Sequence, residues 1–202
     1  MESRKAEAET KTFFGDRFHE FEPNALSNFW RIYSHKFREK ICGGFTPCDD
    51  IYPMGLSKYV RKLNEELHFD AIIVNYMWMS KVLVGLDIPR KALFTHDYFS
   101  YKNILISRNA DHACHANEEA KAMQRAPYIF AMQDEEAAFF QRLSPKSRVL
   151  INYANYDYHE QPIVGNHNIM FLSGPNEFNV NGIKWFVNDI LPLLVEAYSD
   201  LK

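Results

Sequence analysis

The sequence predicts an α/β fold built on a parallel sheet, and three observations carry the prediction. Four short apolar runs recur: "FDAIIVNY" (69–76), "KALFTHD" (91–97), "PYIFAMQ" (127–133) and "SRVLINY" (147–153). They are near-continuous rather than alternating, as strands of a buried parallel sheet are. Stretches of helical character separate them: "MWMSKVLVGL" (77–86), "NEEAKAMQRA" (117–126) and "DEEAAFFQRL" (134–143). The resulting order, α-β-α-β-α-β-α-β, describes a Rossmann-like parallel sheet with flanking helices.

Each element has its own local reason. Residues 1–12 are polar and are expected to fray. The stretch 18–44 holds a short helix, stopped by Gly43-Gly44. "TPCDDIYP" (46–53) reads as a loop. In "GLSKYVRKLNEEL" (55–67), Leu56, Tyr59, Val60, Leu63 and Leu67 recur at helical spacing, and Ser57 offers an N-cap. At 134–143, Asp134 is expected to cap the helix, with Glu135 and Glu136 in its first turn. The polar stretch 154–168, with Pro162 and Gly165, reads as a linker. A second unit follows: strand "IMFLSG" (169–174), a loop, and a helix from Gly182 onward. The organisation expected is an N-terminal Rossmann-like domain over 1–160, then the linker and the start of a second domain over 161–202.

Composition narrows the function classes. With 47% hydrophobic residues the chain can form a core, and a net charge of −3 gives no basic field for nucleic acid. No apolar run approaches the roughly 20 residues of a membrane span. The start "MESRKAEAETK" lacks the apolar centre of a signal peptide, so a cytoplasmic location is expected. Cys42, Cys48 and Cys114 fit free thiols better than a disulfide framework. The aromatic share of 15% favours an aromatic-rich core over a sugar- or partner-binding surface. For the basic, aromatic segment 28–40, a core-packing helix is favoured, and peripheral contact with a lipid surface is the other reading.

The chemistry-bearing residues collect where strands end, which is where open α/β sheets bind ligands. His96 and Asp97 close the second strand, and an imidazole is readily tuned near neutral pH. The plain alternative makes Asp97 a turn former and His96 a strand-end residue. A His-Asp pair also marks metal-dependent phosphohydrolases, but those draw their ligands largely from helices. Gln133 follows the third strand and Asn152 ends the fourth. Gly174 opens a loop that runs into a helix N-terminus, where backbone N–H groups can meet a phosphate. "DHACHANEEA" (111–120) gathers Asp111, His112, Cys114, His115 and Glu119, but they are crowded into one segment. Zinc sites usually draw ligands from separate spacings, so a solvated loop is favoured and no metal is expected.

Several pieces, in order, resemble glycosyltransferase family 4, whose members have the two-domain GT-B architecture. They are "FDAIIVNYMWMS", "ALFTHDYFS", "EEAKAMQRAPYIFAMQDEEAAFFQRL", "RVLINY" and "IMFLSGPNEFNVNGIKWFVNDILPLL". In that family the second domain opens with a strand, a glycine turn, an Asn and a helix ending in Leu-Pro. Here those positions hold Phe171-Leu172, Gly174, Asn179 and Leu191-Pro192. The resemblance spans about residues 55–202. It implies an incomplete GT-B chain, without the first strand and its Gly-rich loop, and with the family's paired donor-binding glutamates falling beyond Lys202. It implies retaining transfer of a hexose from a nucleotide-sugar to a glycan or lipid-linked acceptor, in surface polysaccharide synthesis and without bound metal. His96 would then line the catalytic cleft, Asp97 would orient the loop or the imidazole, Gln133 and Asn152 would meet substrate, and Gly174 would approach the donor diphosphate. Asn179 is expected to cap the last helix. The alternative is a Rossmann-like binding module without catalysis. A protein partner would then cover the terminal helix at Ile183, Trp185, Phe186, Ile190, Leu193 and Leu194.

Overall fold

The computed structural model describes residues 2–41, 43–100, 113–153, 169–174 and 177–198. The chain divides into two compact units, Met1–Ala154 and Asn155–Lys202. The first is an α/β unit whose four-stranded sheet is parallel throughout: β1 (Ala71–Asn75), β2 (Arg90–Phe94), β3 (Tyr128–Ala131) and β4 (Arg148–Ile151), in that spatial order. The expected Rossmann-like parallel sheet with flanking helices is present. Its helices are α1 (Glu2–Phe14), α2 (Ala25–Ile41), α3 (Leu56–Leu67), α4 (Ala116–Met123) and α5 (Asp134–Leu143).

The strand order decides where the core lies. Parallel crossovers are right-handed, so adding each strand on the same side puts every connection on one face of the sheet. Burial agrees. Along β1, Val74 is buried whereas Ala71, Ile73 and Asn75 are exposed. Leu93, Ile129 and Ala131 share the covered face and pack with Trp78, Phe99, Met123 and Phe140. On the opposite face Ile73 is 61% exposed and Tyr128 is also exposed.

Several elements depart from expectation, each for a local reason. "MWMSKVLVGL" forms a 3₁₀ segment, Met77–Leu83, with Met77, Trp78, Val82 and Leu83 buried. Only seven residues are helical before Gly85, which adopts φ +66°, so there is little room for α-helical turns. Residues expected to fray form α1, tied by a Lys11–Glu7 pair at i, i+4 and by a Lys11–Glu20 pair. Gly43 and Gly44, both at positive φ, follow α2 as anticipated. The N-cap of α3 is Gly55, not Ser57, whose hydroxyl lies 2.6 Å from that of Tyr52. Gln133, not Asp134, is the N-cap of α5, and neither end residue supplies a side-chain cap there.

In the second unit, Ile169–Gly174 is not a strand: these residues have no regular secondary structure, with Met170 and Leu172 almost fully exposed. A strand needs a ladder partner for its N–H and C=O groups. The unit's helix begins at Glu177, five residues earlier than read from the sequence, so Asn179 lies inside it rather than capping it. It runs as α6 (Glu177–Trp185), a π-helical turn (Phe186–Ile190) and α7 (Leu191–Ala197). The wider turn sits just before Pro192, which cannot donate to the ladder and would crowd the carbonyl four residues back. Residues 154–168, expected to form the linker, lie outside the described residues, as does Cys42.

Candidate functional site at the strand ends

The carboxyl edge of the sheet is built by the backbone continuing its ladder past the strands. Tyr76 N–H donates to Phe94 O (3.0 Å), Thr95 N–H to Phe130 O (2.9 Å) and Asn152 N–H to Ala131 O (2.8 Å). The Thr95 hydroxyl, buried, doubles the bond to Phe130 O at 2.8 Å. Immediately beyond these anchors come His96, Asp97, Gln133 and Asn152. The structure therefore sets these four candidates on the edge formed by β2, β3 and β4.

His96 makes ring and polar contacts with β1 and β2 residues. Its Nε2 lies 3.2 Å from Asn75 Oδ1, a contact that fits the Nε2–H tautomer. Its ring sits 4.5 Å from the Tyr76 ring and 4.8 Å, edge to face, from the Phe94 ring. Tyr76 adopts φ +65°, ψ +140°, costly for an aromatic residue, by about 1–3 kcal/mol. The strained turn brings Tyr76 over the imidazole. Asp97 is half-buried beside His96, whereas Gln133 and Asn152 are exposed. Gly174 belongs to the second unit, where its carbonyl accepts from Asn179 Nδ2 at 2.8 Å.

Two buried carboxylates from helices brace the loops of this edge. Glu119 of α4, with no exposed surface, accepts from the backbone N–H of Phe99 (2.8 Å) and Ser100 (3.0 Å) and from the Ser100 hydroxyl. Burial pushes its carboxyl up from the ordinary value, and the Ser100 and Phe99 donors offset part of that. Glu136 of α5 accepts from Met132 N–H at 3.0 Å, one residue before Gln133. Sequence reading placed Glu136 at the strand end but favoured a helix-dipole role for it, and considered Glu119 only within a metal cluster. It also passed over Asn75 and Tyr76, although the strand-end rule that nominated His96 applies equally to "VNY".

The rest of "DHACHANEEA" is used structurally. His115 stacks on Phe45 (3.8 Å between centroids) and Cys114 is buried. Asp111 and His112 lie outside the described residues. Among the described residues no group of three or more His, Cys, Asp or Glu side chains is placed to hold a metal ion. Nor is any described helix long and apolar enough to cross a membrane.

A second polar cluster ties the segment before α3 to α4. Arg125 forks onto both Asp49 oxygens at 2.7 and 2.8 Å, and Lys121 adds a contact at 2.9 Å. Burial opposes the Asp49 charge, but the two cations outweigh it and hold the carboxyl well below the usual carboxylate range. Arg125 also reaches Ser80 Oγ at 3.1 Å. Burial pushes the neighbouring Cys48 thiol up to about 11, which makes it a poor nucleophile near neutral pH.

No family model, no curated protein and no solved structure matches the chain.

Proposed function

We propose that this chain supplies the acceptor-side half of a retaining, nucleotide-sugar-dependent glycosyltransferase. It would move a hexose onto a glycan or lipid-linked acceptor, in surface polysaccharide synthesis, on the cytoplasmic side. The observation that carries this reading is the His96 nook: an imidazole at the carboxyl edge of a parallel sheet, walled by two aromatic rings and fixed by Asn75. The ordered resemblance of the segments around it supports the same reading. With Nε2–H given to Asn75, Nδ1 is the acceptor that meets a sugar hydroxyl. The rings of Tyr76 and Phe94 suit the C–H face of a pyranose, and the Gln133 and Asn152 amides offer further partners. Asp97 would orient the loop or the imidazole, and Gly174 would approach the donor diphosphate. No step in this reading calls for a metal.

The test is calorimetry of the chain and of His96→Ala with a panel of hexoses and short oligosaccharides as acceptor probes. Saturable binding that weakens at least about tenfold in the variant, with unchanged circular dichroism, is expected. A chain that binds none of the panel overturns the reading. The alternative, a binding module without catalysis, is favoured by one observation: Trp185, Leu193 and Val195 of the second unit's helix are exposed.

A further inference from the structure

Away from the His96 nook, and sharing no residue with it, the first unit holds a cavity of about 570 Å³. It is lined by residues of α2, of the first turns of α3, of the segment joining them and of the 3₁₀ segment. The volume suits a small ligand. Its charge is one-sided. Five cations line it, Arg31, Arg38, Lys58, Arg61 and Lys81, against two carboxylates, Asp49 and Asp50. Both carboxylates are already engaged. Asp49 is held by Arg125 and Lys121, and Asp50, 1% exposed, lies 2.9 Å from His35 and 2.6 Å from Arg38. Among the described residues, that leaves Arg31, Lys58, Arg61 and Lys81 without a carboxylate partner.

A lone surface lysine is ordinarily just solvated. Here the setting differs in two ways. Arg31 is half-buried and pre-aimed by neutral acceptors only: Asn28 Oδ1 at 2.9 and 3.2 Å and Ile51 O at 3.1 Å. And four unneutralised cations face one concavity in a chain whose net charge is −3, an arrangement that concentrates positive potential. Trp30 and Met54, both exposed, add an apolar wall beside them.

We infer that this cavity binds a phosphomonoester carried on a ring. The phosphate meets Arg31, Lys58, Arg61 and Lys81, and the ring lies against Trp30. Arginine and lysine together suit such a dianion, the fixed guanidinium giving direction and the lysines point charge. The site does not depend on glycosyl transfer at His96.

The experiment is calorimetry of the whole chain with glucose 6-phosphate and adenosine monophosphate, with glucose and adenosine as neutral controls. Flotation with phosphatidylcholine vesicles containing phosphatidylinositol 4-phosphate tests whether the ring-borne phosphomonoester is a lipid headgroup. Saturable binding in either arm is expected. It should weaken at least about tenfold in Lys58→Ala/Arg61→Ala and fall with added salt. Both side chains are exposed on α3, so the variant's melting curve should match that of the unmodified chain. Trp30→Phe should remove the accompanying fluorescence change. Three results overturn the inference: no phosphomonoester bound in either arm, equal binding by the double variant, or equal capture by phosphatidylserine vesicles, which signifies general attraction to anionic surfaces.

Discussion

At the residue scale the first unit depends on carboxylates whose partners come from distant parts of the chain. Asp49 meets Arg125 across 76 residues, and Glu119 meets Phe99 and Ser100 across 20 and 19. No periodicity reveals such pairs, because the sequence records residue types and not which of them the fold brings within 3 Å. His96, by contrast, was legible as a strand-end residue, and its partner Asn75 was legible by the same rule. The Asp49 network makes a pH prediction. Its folded-state carboxyl is held below the ordinary value of 3.8, so its contribution is complete above that value and is lost as pH falls toward the folded value. Between pH 4 and pH 2, urea denaturation should therefore show the unmodified chain losing about 1–2 kcal/mol more stability than Asp49→Asn. Parallel acid limbs for the two proteins would show that the pair adds nothing to folding.

At the element scale the four strands were legible and their faces were not. A near-continuous apolar run announces a strand covered on both sides, yet in the first unit only one face of the sheet carries the connections. Ile73 and Val74 are neighbours of equal apolarity, one 61% exposed and the other buried. The difference should appear in stability. Leu93→Ala, on the covered face with no exposed surface, should cost about 3 kcal/mol. Ile73→Thr, on the open face, should stay within about 0.5 kcal/mol. Chemical denaturation of both variants decides it, and a large loss at Ile73 would mean that the outer face is covered in solution. The segment 169–174 teaches the complementary lesson. Its composition is that of a strand, but a strand is completed only by a neighbour, and its described residues have none.

At the scale of the whole molecule, each unit by itself leaves apolar surface in view: Ile73 and Tyr128 on the sheet, Phe29, Tyr33 and Phe37 on α2, and Trp185, Leu193 and Val195 on the last helix. Contiguous exposed apolar surface marks a contact site or a liability to associate. The chain should therefore bind an environment-sensitive hydrophobic dye under native conditions, and its sedimentation coefficient should rise with concentration. A monodisperse, dye-silent monomer would count against both the open sheet face and a partner for the terminal helix.

The sequence by itself determined the class of fold: four apolar runs, spaced by helical stretches, leave a parallel sheet as the arrangement that satisfies their backbones. It also determined which polar residues stand at the carboxyl edge of the sheet, because polar residues that end buried strands must face an edge rather than a core. Only the tertiary structure decided which face of the sheet is covered, which carboxylates are spent on distant arginines, and which cations line a cavity without a carboxylate partner. These are properties of neighbours in space. They follow from strand order and crossover handedness, which bring together residues that no window of the sequence contains.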